Sequence, residues 1–143
     1  MLVASRLGDG WLWWTIGFAI LLAGGKERYR VLVAGAVAVG VAQGVGRVLK
    51  IAVSRERPCV ERAHVWAKVA PPDPYSFPSA HTMTAFAFAL AVGQGIPELL
   101  WWLLFAAFSV AASRVLLGLH YLSDVVVGGV LGAGIGWAAH SWL

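Results

Sequence analysis

Residues 31–49 read VLVAGAVAVGVAQGVGRVL, an apolar run whose only strongly polar side chains are Gln43 and Arg47. A hydrocarbon core roughly 30 Å thick needs about 20 helical residues to cross it, so this run predicts a transmembrane helix. Composition agrees, because 59% of the 143 residues are hydrophobic, 13% are charged and the mean hydropathy is +0.75. A water-soluble domain this small cannot bury so much apolar surface. We therefore expect a membrane protein.

Four further apolar runs give about five predicted helices in one all-α transmembrane bundle. They cover Trp11–Ala23, about Ser79 to Gly93, Glu98 to Leu117, and about Ser123 to Leu143. The first is short for a full span and is compatible with a tilted helix, an interfacial helix or a cleaved signal peptide; we favour a retained helix. We treat residues 1–143 as one membrane-embedded domain, in which residues 31–143 contain the motifs and residues 11–23 add an N-terminal helix.

Two features describe how these helices connect and pack. The only long polar stretch, residues 54–77, contains Pro71, Pro72 and Pro74 and predicts a loop. In the last run, glycines recur every fourth residue and form a smooth helical face that lets helices approach closely in lipid. This face predicts packing within the monomer, which we favour, or a homodimer contact through Gly128, Gly132 and Gly136.

Charge and cysteine content exclude several classes of protein. The net charge of +4 and the isoelectric point near 9.7 suit a protein that contacts anionic lipid or an anionic substrate. The chain lacks the basic stripe with interleaved polar surface that nucleic-acid-binding proteins carry, so we expect no nucleic-acid partner. A single cysteine, Cys59, excludes a disulfide framework and a cysteine-rich metal site.

Ionisable residues are costly in a membrane, so their positions are informative. Because consecutive spans alternate in direction, polar residues at the ends of the last four runs should meet on one membrane side: Lys50, Arg57, Ser79, His81, Arg114, His120 and Asp124. Three permanent cations in this set repel one another unless an anion lies among them, and Arg and Lys suit phosphate oxygens. For Lys50 and Arg114, snorkelling to lipid headgroups is the alternative.

The two histidines can supply a nucleophile and a general acid. His120 and Asp124 share a face if the last helix has begun at His120, and a carboxylate on one ring nitrogen would leave the other free to attack. His81 would then act as the general acid. Ser79 can cap the third helix, whose N-terminal amides attract anions. A plain cap and a purely structural His–Asp pair are the alternatives, and a metal site is disfavoured because the cations repel a divalent ion.

Three motifs occur in order and are separated by membrane spans. Lys50–Pro58 fits K-x-x-x-x-x-x-R-P, Pro78–His81 differs in one residue from P-S-G-H, and Ser113–Asp124 fits S-R-x-x-x-x-x-H-x-x-x-D. Together they resemble the type 2 phosphatidic acid phosphatase family of integral-membrane lipid phosphatases, over residues 31–143. The resemblance implies metal-independent hydrolysis of a lipid phosphate monoester or pyrophosphate, without a cofactor.

The resemblance also implies a role for each site residue. The phosphoryl group would be held by Lys50, Arg57, Arg114, Ser79 and the backbone N–H groups of Ala80 and His81. His120 would attack phosphorus to give a phosphohistidine, Asp124 would orient His120, and His81 would protonate the leaving group and later activate water. Ala80 replaces the usual glycine, which predicts a narrower pocket or slower turnover but not a loss of catalysis. Family members often have six spans, and the missing one would be N-terminal, away from the motifs.

The sequence also gives expectations for the membrane face that carries the site and for the class of substrate. We expect a multi-pass protein of the cell membrane with the site on the outer face, since Lys26, Arg28 and Arg30 lie opposite the site. Five cations on the site's own face weaken that inference: Arg6, Arg47, Arg55, Arg62 and Lys68. Candidate substrates, which would enter sideways from the bilayer, are phosphatidic acid, phosphatidylglycerophosphate and polyprenyl phosphates or pyrophosphates.

Two other functions and four other residues complete the predictions. A phosphotransferase would pass the same phosphoryl group to a lipid or sugar acceptor, and a non-catalytic membrane scaffold would use the charges as headgroup anchors. We place Asp73 and Tyr75 at the site entrance without chemistry. We place His64 and His140 at the surface or the membrane interface.

Overall fold

The computed structural model describes residues 11–23, 25, 27–58 and 73–143. Over these ranges the chain forms five helices and no strand. They are α1 (Trp11–Ala23), α2 (Arg28–Val53), α3 (Ala80–Gly95), α4 (Pro97–Leu116) and α5 (Leu122–Trp142). Each of the five predicted helices is confirmed, with ends that lie within a few residues of those expected from the apolar runs.

Three of the described helices, α2, α4 and α5, are long and apolar enough to cross a membrane. The other two are shorter than a full span, with 13 residues in α1 and 16 in α3. Large apolar side chains point outward from the bundle, among them Trp101, Phe105 and Val130, each about 70% exposed or more. Monomeric soluble proteins rarely expose so much contiguous apolar surface. The predicted transmembrane bundle is therefore confirmed, with three full-length spans among the five helices.

Helix α3 lies at the centre and packs against α2, α4 and α5. Most of its side chains are buried, and many are alanines that allow the neighbours to approach closely. Phe88 contacts Trp13 of α1 with the ring centroids 5.1 Å apart, and Phe86 meets Phe108 of α4 edge to face at 5.0 Å. Because neighbouring helices surround α3, its N-terminus lies in the middle of one end of the bundle.

The glycine face of α5 packs on α3 within the same chain. A Cβ at Gly128 would lie 2.8 Å from the Ser79 carbonyl oxygen, and a Cβ at Gly132 or Gly136 would collide with the backbone of Met83 or Ala87. All three glycines are buried. The predicted packing inside the monomer is what the structure shows. A homodimer through this face would first require α3 to leave it.

The end of α2, the start of α3, the end of α4 and the start of α5 lie together, as alternating spans predict. The backbone N–H of Ser79 donates to the Asp124 carbonyl at 3.0 Å, which joins the starts of α3 and α5. The segments on either side of the predicted loop also pair, because the Ser76 N–H donates to the Arg55 carbonyl at 2.8 Å. Residues 59–72 of that loop, with Cys59 and His64, lie outside the described residues.

Candidate active site

His120 is placed by the turn that ends α4. Gly118 has φ of 67°, a left-handed conformation that glycine adopts without steric cost. The N–H groups of Gly118 and Leu119 donate back to the carbonyls of Val115 and Arg114, the pattern of a Schellman motif. The His120 N–H also donates to the Arg114 carbonyl, at 3.2 Å. The turn therefore fixes His120 directly beneath the last turn of α4, and its ring is almost fully buried.

The hydrogen bond at Nδ1 defines the tautomer of His120. Nδ1 lies 2.6 Å from the backbone carbonyl oxygen of Ser76. A carbonyl oxygen only accepts hydrogen bonds, so Nδ1 carries the proton and Nε2 is unprotonated and holds the lone pair. The predicted acceptor, Asp124, has its nearer carboxylate oxygen 3.8 Å from Nδ1, which is too long for a hydrogen bond. That Asp124 orients His120 stays a prediction.

Arg57 donates a hydrogen bond to the unprotonated nitrogen of His120. Its side chain is 3% exposed, and its Nη1 is 3.2 Å from His120 Nε2 and donates to the Leu119 carbonyl at 3.0 Å. Its Nε donates to the backbone carbonyl of Asp73 at 2.8 Å. A permanent cation with a donor fork thus lies beside the ring nitrogen that carries the lone pair. An anion bound by this guanidinium would lie within reach of Nε2.

Burial lowers the pKa of the His120 imidazole, because the charged form loses its hydration. The positive charge on Arg57 acts in the same direction. Asp124 and the Ser76 carbonyl favour the protonated ring, but they do not outweigh these two effects. The neutral ring, which is the form that can attack an electrophile, therefore persists to lower pH than in an ordinary histidine.

Asp124 lies in the first turn of α5 and is completely buried. Its Oδ2 accepts from the Tyr121 N–H at 2.8 Å, and its Oδ1 accepts from Arg55 Nη1 at 2.9 Å. The Arg55 guanidinium also lies 4.1 Å above the Tyr121 ring and donates to Ser123 Oγ at 2.9 Å. Arg55 is therefore the cation that compensates the buried charge of Asp124.

Lys50 and Asp73 form an ion pair at the opening of the site. Lys50 Nζ lies 2.6 Å from Asp73 Oδ2, and Arg57 Nη2 lies 3.0 Å from Asp73 Oδ1. Burial alone would raise the pKa of Asp73. The hydrogen bonds and charges of Lys50 and Arg57 outweigh it and hold that pKa below its usual value. Asp73 is therefore ionised at neutral pH, between two of the cations predicted to bind phosphate.

The remaining predicted residues lie at the same end of the bundle. Ser79 occupies the N-cap position of α3 as predicted, but its hydroxyl pairs with the Thr82 hydroxyl at 3.0 Å instead of a backbone amide. Ala80 and His81 follow in the first turn of α3, and both are half-buried. Arg114 lies in the last turn of α4, where it is 4% exposed.

The structure adds three residues to the predicted site. Arg55 lies between two predicted phosphate ligands in the first motif, but the sequence analysis gives it no role beyond being one of the cations on the site's face of the membrane. Asp73 was expected only at the entrance, and Ser76 contributes a backbone carbonyl, which any residue type would supply. A carboxylate between two prolines of the predicted loop, Pro72 and Pro74, was the available sequence signal for Asp73. No sequence signal indicated that Ser76 would contact His120.

An apolar groove of about 680 Å³ opens beside the site. It lies between α4 and α5, which pack on α3 more closely than on each other, and Phe86 of α3 contributes to its wall. Leu116 and Leu122 line it near the ends of α4 and α5 that also hold Arg114 and Asp124. Every residue lining the groove is apolar. A hydrocarbon chain fits this chemistry.

No group of three or more His, Cys, Asp or Glu side chains in the described ranges is close enough together to hold a metal ion. The polar side chains that do converge include three permanent cations. Lys50, Arg55 and Arg57 lie around one imidazole and two carboxylates. This arrangement suits a multiply charged oxyanion such as phosphate.

The chain is similar in sequence to proteins named as phosphatases. The chain is 40% identical to the decaprenylphosphoryl-5-phosphoribose phosphatase of Mycobacterium tuberculosis over 139 residues, covering 92% of this chain and 72% of that protein. It is 26% identical to the undecaprenyl-diphosphatase of Sulfolobus acidocaldarius, covering 94% and 65% of the two chains.

Solved structures share the fold. The crystal structure of Aquifex aeolicus LpxE superposes with a TM-score of 0.81 at 23% identity, covering 96% of this chain and 81% of that one. A transmembrane PAP2 type phosphatidylglycerolphosphate phosphatase from Bacillus subtilis superposes with a TM-score of 0.74 at 22% identity, covering 99% and 74%. The profile of the PAP2 superfamily matches residues 31–143. The chain therefore belongs to the PAP2 superfamily and is a membrane phosphatase, a hydrolase of phosphoric esters.

Proposed function

We propose that this phosphatase hydrolyses a lipid phosphate monoester or pyrophosphate through a covalent phosphohistidine on His120, without a metal ion. The observation that carries the proposal is the 3.2 Å contact between Arg57 Nη1 and His120 Nε2. It puts a phosphate-binding fork on the unprotonated ring nitrogen, and a bound phosphoryl group would take over the Nη1 donor and leave the Nε2 lone pair to attack. With Nδ1–H held by the Ser76 carbonyl, the ring can take the positive charge that develops on attack.

In the first step, His120 Nε2 forms a bond to phosphorus as the bond from phosphorus to the leaving oxygen breaks. Lys50, Arg57 and Arg114 neutralise the charge on the three spectator oxygens, which is the main task of a phosphoryl-transfer site. His81, in the first turn of α3, gives its proton to the leaving alcohol or phosphate. Asp124 balances the charge on His120 from the other side of the ring.

In the second step, water attacks phosphorus and the bond from phosphorus to His120 Nε2 breaks. His81, which lost its proton in the first step, now accepts one from that water. Inorganic phosphate is released, and both histidines return to their starting states. A single pair of imidazoles thus serves both halves of the reaction, with opposite proton transfers by His81.

The groove between α4 and α5 supports a substrate with a long hydrocarbon chain. It opens toward the lipid-facing surface and ends near the charged site, so a chain lying in it would place its phosphate among the cations. Two relatives are named for polyprenyl-linked substrates, decaprenylphosphoryl-5-phosphoribose and undecaprenyl diphosphate. We therefore place this chain's substrate among polyprenyl phosphates, pyrophosphates or related lipid phosphates with a small headgroup.

Phosphate release from a panel of lipid phosphates tests the proposal. The purified chain in detergent with EDTA is expected to hydrolyse at least one polyprenyl phosphate or pyrophosphate. Failure on every lipid in the panel would favour a scaffold. Appearance of the phosphoryl group on an added lipid or sugar alcohol, instead of in free phosphate, would favour a phosphotransferase.

The state of His120 predicts the pH profile. An ordinary imidazole becomes protonated as the pH falls through about 6.5. Because the pKa of His120 is lowered, its ring becomes protonated only at a lower pH, so activity should persist just below pH 6.5, about the ordinary value. The acid limb of kcat/KM, which reports groups of the free enzyme, is therefore expected below that value. Measuring kcat/KM from pH 4.5 to 8 in about half-unit steps checks this. An acid limb at or above pH 6.5, about the usual value, would contradict the assignment.

Filling the groove should weaken long-chain substrates selectively. Ala112 lines the groove and is exposed, so Ala112→Trp adds bulk there without entering the core. Excluding two CH₂ groups at about 0.8 kcal/mol each predicts a roughly tenfold loss in kcat/KM for a long-chain lipid phosphate. The loss for a short-chain soluble phosphate ester should be much smaller. Val33→Trp, on an exposed face of α2, is the matched control. Equal losses on both substrates would contradict binding of the hydrocarbon chain in the groove.

We place the active site on the outer face of the cell membrane. This puts the residue after Leu143 on the cytoplasmic side, because α5 begins at the site and ends at the opposite face. A reporter fused after Leu143 is therefore expected to give a cytoplasmic signal. An external signal would reverse the orientation and leave the chemistry unchanged.

A further inference from the structure

The Asp73 carboxylate occupies the cation donors that a phosphate would use. Its Oδ2 is 2.6 Å from Lys50 Nζ and its Oδ1 is 3.0 Å from Arg57 Nη2. The Tyr75 N–H donates to the same Oδ1 at 3.1 Å and fixes the carboxylate's direction. Asp73 is 34% exposed, whereas Lys50 and Arg57 are 12% and 3% exposed. The anion therefore lies at the mouth of the site, outside the cations it bridges.

Arg57 does not depend on that carboxylate for its position. Its Nε donates to the Asp73 backbone carbonyl at 2.8 Å, and its Nη1 donates to the Leu119 carbonyl at 3.0 Å. A change of the Asp73 side chain leaves both backbone acceptors in place. The Asp73 carboxylate therefore affects Arg57 in two ways: its negative charge attracts the guanidinium, and its Oδ1 accepts the hydrogen bond from Nη2.

Two anions cannot both hold these donors at full strength. A phosphate bound by Lys50 and Arg57 would lie within a few ångströms of Asp73, where like charges repel strongly. We infer that Asp73 is an internal competitor for phosphate: it pairs with Lys50 and Arg57 in the empty site and must yield them to the substrate's phosphoryl group. This inference rests on the proposed function, since it uses the same two cations as phosphate ligands.

The competitor discriminates between substrate and product. A lipid phosphate gains additional binding energy from its hydrocarbon chain, and that energy can offset the displacement of Asp73. Inorganic phosphate has no chain and must displace Asp73 by its charge alone. The site therefore holds free phosphate weakly, which favours product release after the second step.

Inorganic phosphate binding tests the inference directly. The full chain in detergent is titrated with phosphate by calorimetry, and phosphate is also measured as a competitive inhibitor of lipid hydrolysis. Asp73→Asn and Asp73→Ser, which remove the charge in two ways, are expected to bind phosphate roughly tenfold more tightly, as the loss of one partly exposed unit charge predicts. Asp73→Glu keeps the charge and should bind phosphate as weakly as the wild type.

Glu56→Gln is the matched control, because Glu56 is an exposed carboxylate one residue from Arg57. It should leave phosphate affinity within about twofold of the wild type, as expected for a screened surface charge.

Unchanged or weaker phosphate binding in both neutral Asp73 variants would overturn the inference, and so would equal tightening in Glu56→Gln. A residue that merely supported the site would weaken phosphate binding when changed, the opposite sign. Calorimetry needs no turnover, so absence of lipid hydrolysis would count against the proposed function alone.

Discussion

Replacing His120 by alanine is expected to lower kcat for lipid phosphate hydrolysis by about 10⁴-fold or more, as loss of a covalent nucleophile does in other enzymes. His120 is the imidazole that lies beside Arg57, whose Nη1 is 3.2 Å from His120 Nε2. The substitution leaves the Schellman turn intact, since that turn uses backbone groups only. Phosphate release in detergent is the measurement.

His140→Ala is the control for this variant. It makes the same chemical change near the far end of α5, away from the site, and is expected to keep most of the activity. If His120→Ala kept more than about one hundredth of wild-type kcat, a loss smaller than removal of a general acid or base alone usually causes, His120 would not be the nucleophile.

Arg57→Lys is expected to reduce kcat/KM by about 10²- to 10³-fold, the usual effect of removing one preorganised donor to a transition-state oxyanion. Lysine keeps the charge but lacks the planar fork that contacts Asp73, the Leu119 carbonyl and His120 at once. The loss should lie mostly in kcat, because the fork acts on charge that develops during transfer.

Arg47→Lys is the matched control for Arg57→Lys, since Arg47 is exposed on α2. It should behave as the wild type. Thermal unfolding of both variants separates a loss of catalysis from a loss of fold. Wild-type kcat in a folded Arg57→Lys variant would show that the fork has no part in transfer.

The helices were predictable because their apolar runs end at strong signals. Gly93, Gly95 and Pro97 mark the boundary between α3 and α4, and α3 ends at Gly95 while α4 begins at Pro97. The central position of α3 was not predictable from its own pattern, since a short apolar helix is equally compatible with an edge position. Its burial follows from the glycines of α5, whose backbone lies directly on α3.

Much of the site was predictable from motif spacing, whereas the orientation of His120 was not. The four-residue spacing to Asp124 implies a shared helical face, but α5 begins at Leu122, so His120 lies in the preceding turn. There its Nδ1 meets the carbonyl of Ser76, 44 residues earlier in the chain. Every residue type has a backbone carbonyl, so the sequence alone could not identify Ser76 as the acceptor.

Arg55 and Asp73 illustrate the same limit for charged residues. Arg55 pairs with Asp124, 69 residues later, and Asp73 pairs with Lys50, 23 residues earlier. The first pair joins the segment after α2 to the first turn of α5, and the second joins the last turn of α2 to the segment before α3. Residue type marks these side chains as charged, but only the fold decides which charge each one meets.

The covalent intermediate is the central claim, and rapid-quench trapping tests it most directly. The full chain is mixed with a substrate carrying a labelled phosphoryl group, quenched in alkali to preserve phosphohistidine, and mapped by mass spectrometry. The account predicts a single labelled site on His120, absent in His120→Ala and longer-lived when His81 is changed to asparagine. Turnover with no labelled protein at any quench time, or with the label on a residue other than His120, would contradict it.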